Sequence, residues 1–204
     1  MKNNLVIGIT GGIGAGKSTV MNILKTEYQA FILETDKAGH VVMNPGGLAY
    51  QDIITNFGRD VLNDDETVNR KILADIVFNQ PDKLALLNSI IHPNVKKYII
   101  CQIDEITKNH KSPLIFIESA LLLNDNYDKM CDSIWYIYSD IETRFERVNR
   151  TRNMSRERFD EIVSNQLSDE ILRKRCNVII DNDKSIENTK EQIDFALKNL
   201  AKED

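Results

Sequence analysis

No stretch of the sequence is apolar over the roughly 20 residues that a bilayer core demands, so no membrane partner is expected. The apolar run Leu5–Ile9 is stopped at once by Gly11 and Gly12, which is too short for a secretory leader. Cysteine is scarce. Cys101, Cys131 and Cys176 are odd in number and far apart, so they form neither a C-x-x-C pair nor a disulfide framework. They are expected as buried small hydrophobes in a reducing compartment, and the cytoplasm is the expected location. Histidine is scarce too, and no His/Cys cluster has the spacing of zinc ligands. There is no excess of positive charge: 26 Lys and Arg face 31 Asp and Glu, for a net charge of −5. That balance argues against a nucleic-acid partner, although it leaves room for a local basic site that binds phosphates. Internal repeats and low-complexity tracts are absent.

What is there suits a globular chain of 204 residues, 42% hydrophobic and 28% charged. Leu5–Ile9 is apolar on both faces, as a buried parallel strand is. Ser18–Tyr28 reads as a helix, Ala30–Leu33 as a second strand and Leu114–Ile117, after Pro113, as a third. Ser133–Tyr138 and Val178–Ile180 read as the fourth and fifth. Strands separated by helical stretches predict an α/β fold with a five-stranded parallel, doubly wound sheet. Residues 37–111 hold turn signals and helical patterns, such as Arg70–Phe78 and Lys83–Ile91, without a convincing strand; Pro93 reads there as a helix boundary. Residues 142–174 form a second helical insertion, dense in arginine and acids. The core is thus assigned to 1–36, 112–141 and 175–204, ending in an amphipathic helix over Ile186–Leu200.

The segment Gly11-Gly12-Ile13-Gly14-Ala15-Gly16-Lys17-Ser18 fits G-x-x-x-x-G-K-[ST], and it lies between a predicted strand and a predicted helix. Glycines let successive backbone N–H groups turn toward phosphate oxygens. The following helix aims its positive end at the same place. Gly12, Ile13, Gly14, Ala15, Gly16, Lys17, Ser18 and Thr19 are the candidate ATP contacts. Lys17 would clamp the β and γ phosphates and the Ser18 hydroxyl would ligate Mg²⁺. A dinucleotide-binding loop is disfavoured, since Lys17 stands where its last glycine would be. Asp36-Lys37-Ala38-Gly39 matches the D-x-x-G of GTPases, but no N-K-x-D base-reading motif exists.

Asp36 lies just past the second strand, where ligands of doubly wound sheets bind. A carboxylate there can take the proton of an attacking hydroxyl, while the alternative role is a helix N-cap. Glu34 is near enough to share the site. Glu118, at the end of the third strand, could hold a metal through water. Of the arginines between Glu142 and Arg158, one or two are expected to meet phosphate and the rest to pair with neighbouring acids.

Together these segments resemble dephospho-coenzyme A kinases. The likeness is carried by Ile9–Val20, Asp36-Lys37-Ala38, Phe57-Gly58, Asn69-Arg70-Lys71-Ile72-Leu73, Val77-Phe78, Leu87–Val95 with His92-Pro93, Gln166 and Val178–Asn182. The resemblance implies a nucleoside monophosphate kinase-like core, a helical coenzyme A subdomain over 37–111 and a lid over 142–174. It implies transfer of the ATP γ-phosphate to the ribose 3′-hydroxyl of dephospho-coenzyme A with Mg²⁺, in a monomer or small homo-oligomer. It makes Asp36 the base, Lys17 the phosphate clamp and Arg147 a lid arginine, with Thr10, Arg70 and His92 on the acceptor side. The chain departs from the family pattern in places. Glu34-Thr35-Asp36 replaces a pair of aspartates, and Ser119-Ala120-Leu121-Leu122 replaces a proline-leucine-leucine segment. His40 and Thr151 stand where arginines are usual. Another small-molecule P-loop kinase, and a non-catalytic nucleotide switch, are the other readings of the same loop.

Overall fold

A computed structural model describes residues 4–120 and 122–200; Leu121 and the outermost residues of the 1–36 and 175–204 segments lie outside them. The five strands expected from the sequence are all present: β1 (Leu5–Thr10), β2 (Phe31–Glu34), β3 (Leu114–Glu118), β4 (Ser133–Tyr138) and β5 (Val178–Asp181). Their order in the sheet is β2-β3-β1-β4-β5. β1 runs parallel to β3 and β4, and β4 parallel to β5.

The chain divides into two compact units. One takes residues up to Ile32 and from Lys111 onward; the other is Leu33–His110. In the first, α1 (Lys17–Glu27) and α9 (Ile186–Leu200) cover one face of the sheet. Val20, Ile23 and Leu24 of α1, with Ile193 and Ala196 of α9, meet Ile7, Ile9, Phe116, Trp135, Ile137 and Ile180. Trp135 is fully buried and sets its ring edge-on to Phe116, centroids 5.3 Å apart. Each buried Ile or Phe of this layer contributes about 1.5–3 kcal/mol, so the helix that follows the glycine-rich loop is anchored at its base.

The charged stretch after β4 forms three helices: α6 (Ile141–Arg152), α7 (Arg156–Ser164) and α8 (Asp169–Arg175). Side chains of Asp140, Ser155 and Ser168 cap their N-termini, each a contribution of about 1 kcal/mol. Asn153 at φ 48° turns the chain out of α6.

The second unit holds α2 (Thr35–Met43), α3 (Tyr50–Phe57), α4 (Arg70–Val77) and α5 (Pro81–Asn109). Beyond the end of β2, it also has an isolated β-bridge between Leu62 and Val68. Pro93 does not end a helix as expected; it lies inside α5. A proline there costs about 3 kcal/mol in lost bonding and ring clash. Burial of Ile90, Asn94, Val95 and Ile99 on either side of it offsets that cost. The Asn94 amide also donates to the Ile90 carbonyl at 2.9 Å.

The cysteines are only partly as expected. Cys101 is exposed on α5, whereas Cys131 and Cys176 are half-buried. Burial pushes the Cys131 thiol up to about 12 and the Cys176 thiol up to about 11. Among the described residues no helix is long and apolar enough to cross a membrane.

Candidate active site

β1 ends at Thr10, which is buried, and the chain then enters the glycine-rich loop. Gly14 and Gly16 sit at φ 77° and 86°, backbone that side-chain-bearing residues rarely adopt. A Cβ on Gly14 would strike the Arg144 carbonyl, and one on Gly16 would strike the Asn182 amide. So these positions need glycine for two reasons, conformation and space. α1 starts at Lys17, one residue earlier than the sequence suggested, and Ser18 and Thr19 are exposed in its first turn.

The loop is held by side chains that arrive from far along the sequence. Lys17 Nζ donates to the Gly11 carbonyl at 2.8 Å and lies 3.7 Å from Glu118 Oε1 at the end of β3. Arg144 Nε donates to the Ile13 carbonyl at 2.8 Å. Asn182 Nδ2 donates to the Ala15 carbonyl at 2.9 Å. The buried Thr189 hydroxyl donates in turn to Asn182 Oδ1 at 3.1 Å. In a trans peptide the N–H points opposite to the preceding carbonyl. Holding the Ile13 and Ala15 carbonyls therefore turns the Gly14 and Gly16 N–H groups the other way, the alternation that builds an anion-binding concavity. The Ile13 N–H itself donates to Gln166 Oε1 at 3.2 Å.

Arg147 lies on the same side of α6 as Arg144, three residues on. Its guanidinium donates to the Asn182 carbonyl at 2.7 Å and to Ser139 Oγ at 3.1 Å. Arg156 and Arg158, by contrast, are in carboxylate pairs at the surface, with Glu142 and Asp160 and with Glu161. Arg147→Ala is therefore expected to slow turnover at least tenfold, and Arg156→Ala less than twofold, because exposed pairs contribute little. Steady-state rates of the two variants decide it; equal small effects would place Arg147 with the surface arginines.

In the other unit, Asp36 lies in the first turn of α2. Glu34, not Asp36, occupies the N-cap position, and the Glu34 carboxylate is tied to Lys37 at 2.6 Å. Asp36 is exposed. Arg70 opens α4 behind Asn69, whose side chain accepts from the Ile72 N–H at 3.1 Å. The Arg70 guanidinium contacts His40 Nε2. An arginine donates there, so that ring nitrogen accepts and the proton of a neutral ring sits on Nδ1. His40, Asn69, Arg70 and Lys71 help to line a cavity of about 460 Å³. His92 is half-buried on α5, one residue before Pro93.

Sequence reasoning placed Arg144, Arg147, Gln166 and Asn182 in relevant segments but did not single out Arg144 from the other arginines. Its signal was available: once Asp140 is taken as a helix cap, Arg144 and Arg147 share a face.

The profile of the family described as dephospho-CoA kinase matches residues 5–188. A dephospho-CoA kinase of Carboxydothermus hydrogenoformans is 37% identical over 188 residues, 92% of this chain and 90% of that one. One from Aquifex aeolicus is 35% identical, over 97% of this chain and 98% of its own. Among solved structures, a Thermus thermophilus protein superposes with a TM-score of 0.79 at 25% identity, covering 98% of this chain and 99% of that one. The dephospho-CoA kinase of Campylobacter jejuni gives 0.65 at 23% identity, over 97% of each chain. A shikimate kinase of Acinetobacter baumannii, at 0.54 and 14% identity over 97% of this chain and 96% of its own, shares the fold. With a phosphate loop of this geometry and family likeness over nearly its whole length, the chain belongs to the dephospho-CoA kinases, which transfer the γ-phosphoryl group of ATP to the ribose 3′-hydroxyl of dephospho-coenzyme A.

Proposed function

We propose that the Gly11–Thr19 segment holds the ATP phosphates and that Asp36 takes the proton of the acceptor hydroxyl. The observation that carries this reading is the loop, whose carbonyls at Ile13 and Ala15 are held by Arg144 and Asn182, which turns the N–H groups of Gly14 and Gly16 to the opposite side. Lys17 stands in that loop with its ammonium on the Gly11 carbonyl, and it is assigned to the β and γ oxygens. In phosphoryl transfer the charge spreads over the equatorial oxygens, and fixed cations stabilise it. Lys17 and Arg147 are assigned that work. Asp36 follows the carboxyl end of β2 as the loop follows that of β1, which is where such sheets receive their ligands. Its role is to accept the 3′-hydroxyl proton as the oxygen attacks phosphorus.

The residues also suit Mg²⁺. No group of three or more His, Cys, Asp or Glu among the described residues could hold a metal ion. Mg²⁺ needs no such cage, since it keeps waters and binds largely through substrate phosphates with one or two protein oxygens. The exposed Ser18 hydroxyl can supply one, and Glu118 could contribute through water. When bound, Mg²⁺ would neutralise charge between the β and γ phosphates. The 37–111 segment is assigned the acceptor, with Thr10, Arg70 and His92 on that side. The cavity beside Arg70 and Lys71 suits the phosphates that dephospho-coenzyme A carries. Residues 142–174 are assigned as the lid.

ADP release is expected to require dephospho-coenzyme A and to be absent with adenosine. Ser18→Ala should raise the Mg²⁺ concentration for half-maximal rate about tenfold, the scale of losing one ligand-shell contact. Turnover with adenosine, or an unchanged metal dependence, would count against the acceptor or the metal assignment respectively.

A further inference from the structure

We propose that Arg144 is a positioning residue of the donor site, setting the phosphate loop through the Ile13 carbonyl and, with Gln166, lending it an unneutralised positive charge. The inference rests on the reading of this loop as the site of ATP phosphates.

Three observations meet here. First, Arg144 holds the loop directly through Nε on the Ile13 carbonyl at 2.8 Å, and its Nη2 donates to Gln166 Oε1 at 3.3 Å. That same Gln166 oxygen accepts the Ile13 N–H at 3.2 Å. The Ile13 backbone is thus held at both its polar groups, by residues from α6 and from the segment after α7. Second, the guanidinium lies over Gly12, where any Cβ would meet it, so a larger residue at that position would push the Arg144 side chain off its place. Third, Arg144 bonds neutral oxygens, whereas Arg156, Arg158 and Arg173 are each matched to carboxylates. Asp169, the acid that acts on Arg144, is itself engaged by the Tyr136 hydroxyl at 2.9 Å and by Arg173 at 2.7 Å. The buried Phe159 ring lies with its centre 5.8 Å from the guanidinium, an apolar face that brings no opposite charge. A half-buried cation bonded to neutral acceptors keeps its field, and partial desolvation makes that field reach further.

A purely structural arginine and one that also supplies charge differ in what Gln166→Glu does. A carboxylate at 166 keeps the acceptor for both the Ile13 N–H and Arg144, so the loop stays held. It also cancels the charge of Arg144 and adds a negative group beside the phosphates. Titration calorimetry of the full chain with MgATP, and with sodium tripolyphosphate as a probe lacking the nucleoside, separates these. Gln166→Glu is expected to weaken both about tenfold with no fall in Tm. Arg144→Ala should weaken both at least tenfold and raise KM for ATP more than it lowers kcat. Arg144→Lys keeps a charge but cannot reach both acceptors as a fork does, and should recover only part of the loss. If Arg144→Ala proves too unstable to titrate, Gln166→Glu and Arg144→Lys still decide the matter. Binding within twofold of wild type in those two variants would overturn the proposal. A wild-type chain that bound neither ligand would instead remove the donor-site reading, and this inference with it.

Discussion

Asp36→Asn is expected to lower the rate of phosphoryl transfer by about 10² or more while MgATP still binds within a few-fold of wild type, the scale of a lost general base. The substitution is nearly isosteric and Asp36 is exposed in the first turn of α2, so little packing changes. What the fold loses is a charge near the helix N-terminus, a matter of about 0.3–1 kcal/mol. The neighbouring carboxylate is poorly placed to substitute, because Glu34 is tied to Lys37 at 2.6 Å. Steady-state ADP release, read beside a nucleotide titration, checks both halves. Near-normal turnover in Asp36→Asn would take this residue out of the mechanism.

Lys17→Ala is expected to cost about 10²–10³ in kcat, as removal of a fixed group that stabilises transition-state charge does, together with a loss in ATP affinity. Here a structural effect must be separated from a chemical one. Lys17 faces Glu118 across 3.7 Å, and that carboxylate is only 12% exposed. Removing the ammonium leaves Glu118 with one cation fewer in a poorly solvated place, which destabilises the fold as well. The double variant Lys17→Ala, Glu118→Gln removes both charges. It should recover stability, measured as Tm, without recovering turnover. Recovery of turnover in the double variant would mean that Lys17 acts by balancing Glu118 and not on phosphate. Lys17→Arg should not rescue either, since a planar guanidinium cannot take the place of a compact ammonium in a loop this close.

The parts of this molecule that read directly from sequence are those that local rules govern. Buried parallel strands are nearly continuous apolar runs, which is why all five strands stand where the pattern put them. The phosphate loop is spelled by glycine spacing, since Gly14 and Gly16 take φ values that other residues resist. Residues carrying helix signals of their own were less reliable guides where packing intervened. Pro93 reads as a stop, yet α5 runs through it because apolar burial on both sides outweighs one missing hydrogen bond. Cys101 reads as a core residue and lies at the surface.

The arrangement around the loop was a matter for the tertiary structure. Arg144 is 131 residues from Ile13, Gln166 is 153 and Asn182 is 167 from Ala15. No spacing rule spans such distances, and the charged stretch after β4 offers several arginines of equal promise. Which of them meets the loop depends on where three side-chain caps start the helices, and on how α6 meets the glycine-rich loop and Ser139. The sequence alone determined a glycine-rich loop, between a strand and a helix, whose backbone is free to turn successive amides to one side. Only the folded chain decided which cations hold that loop, because long-range packing, and not residue type, sets which guanidinium reaches the loop and which pairs with a carboxylate.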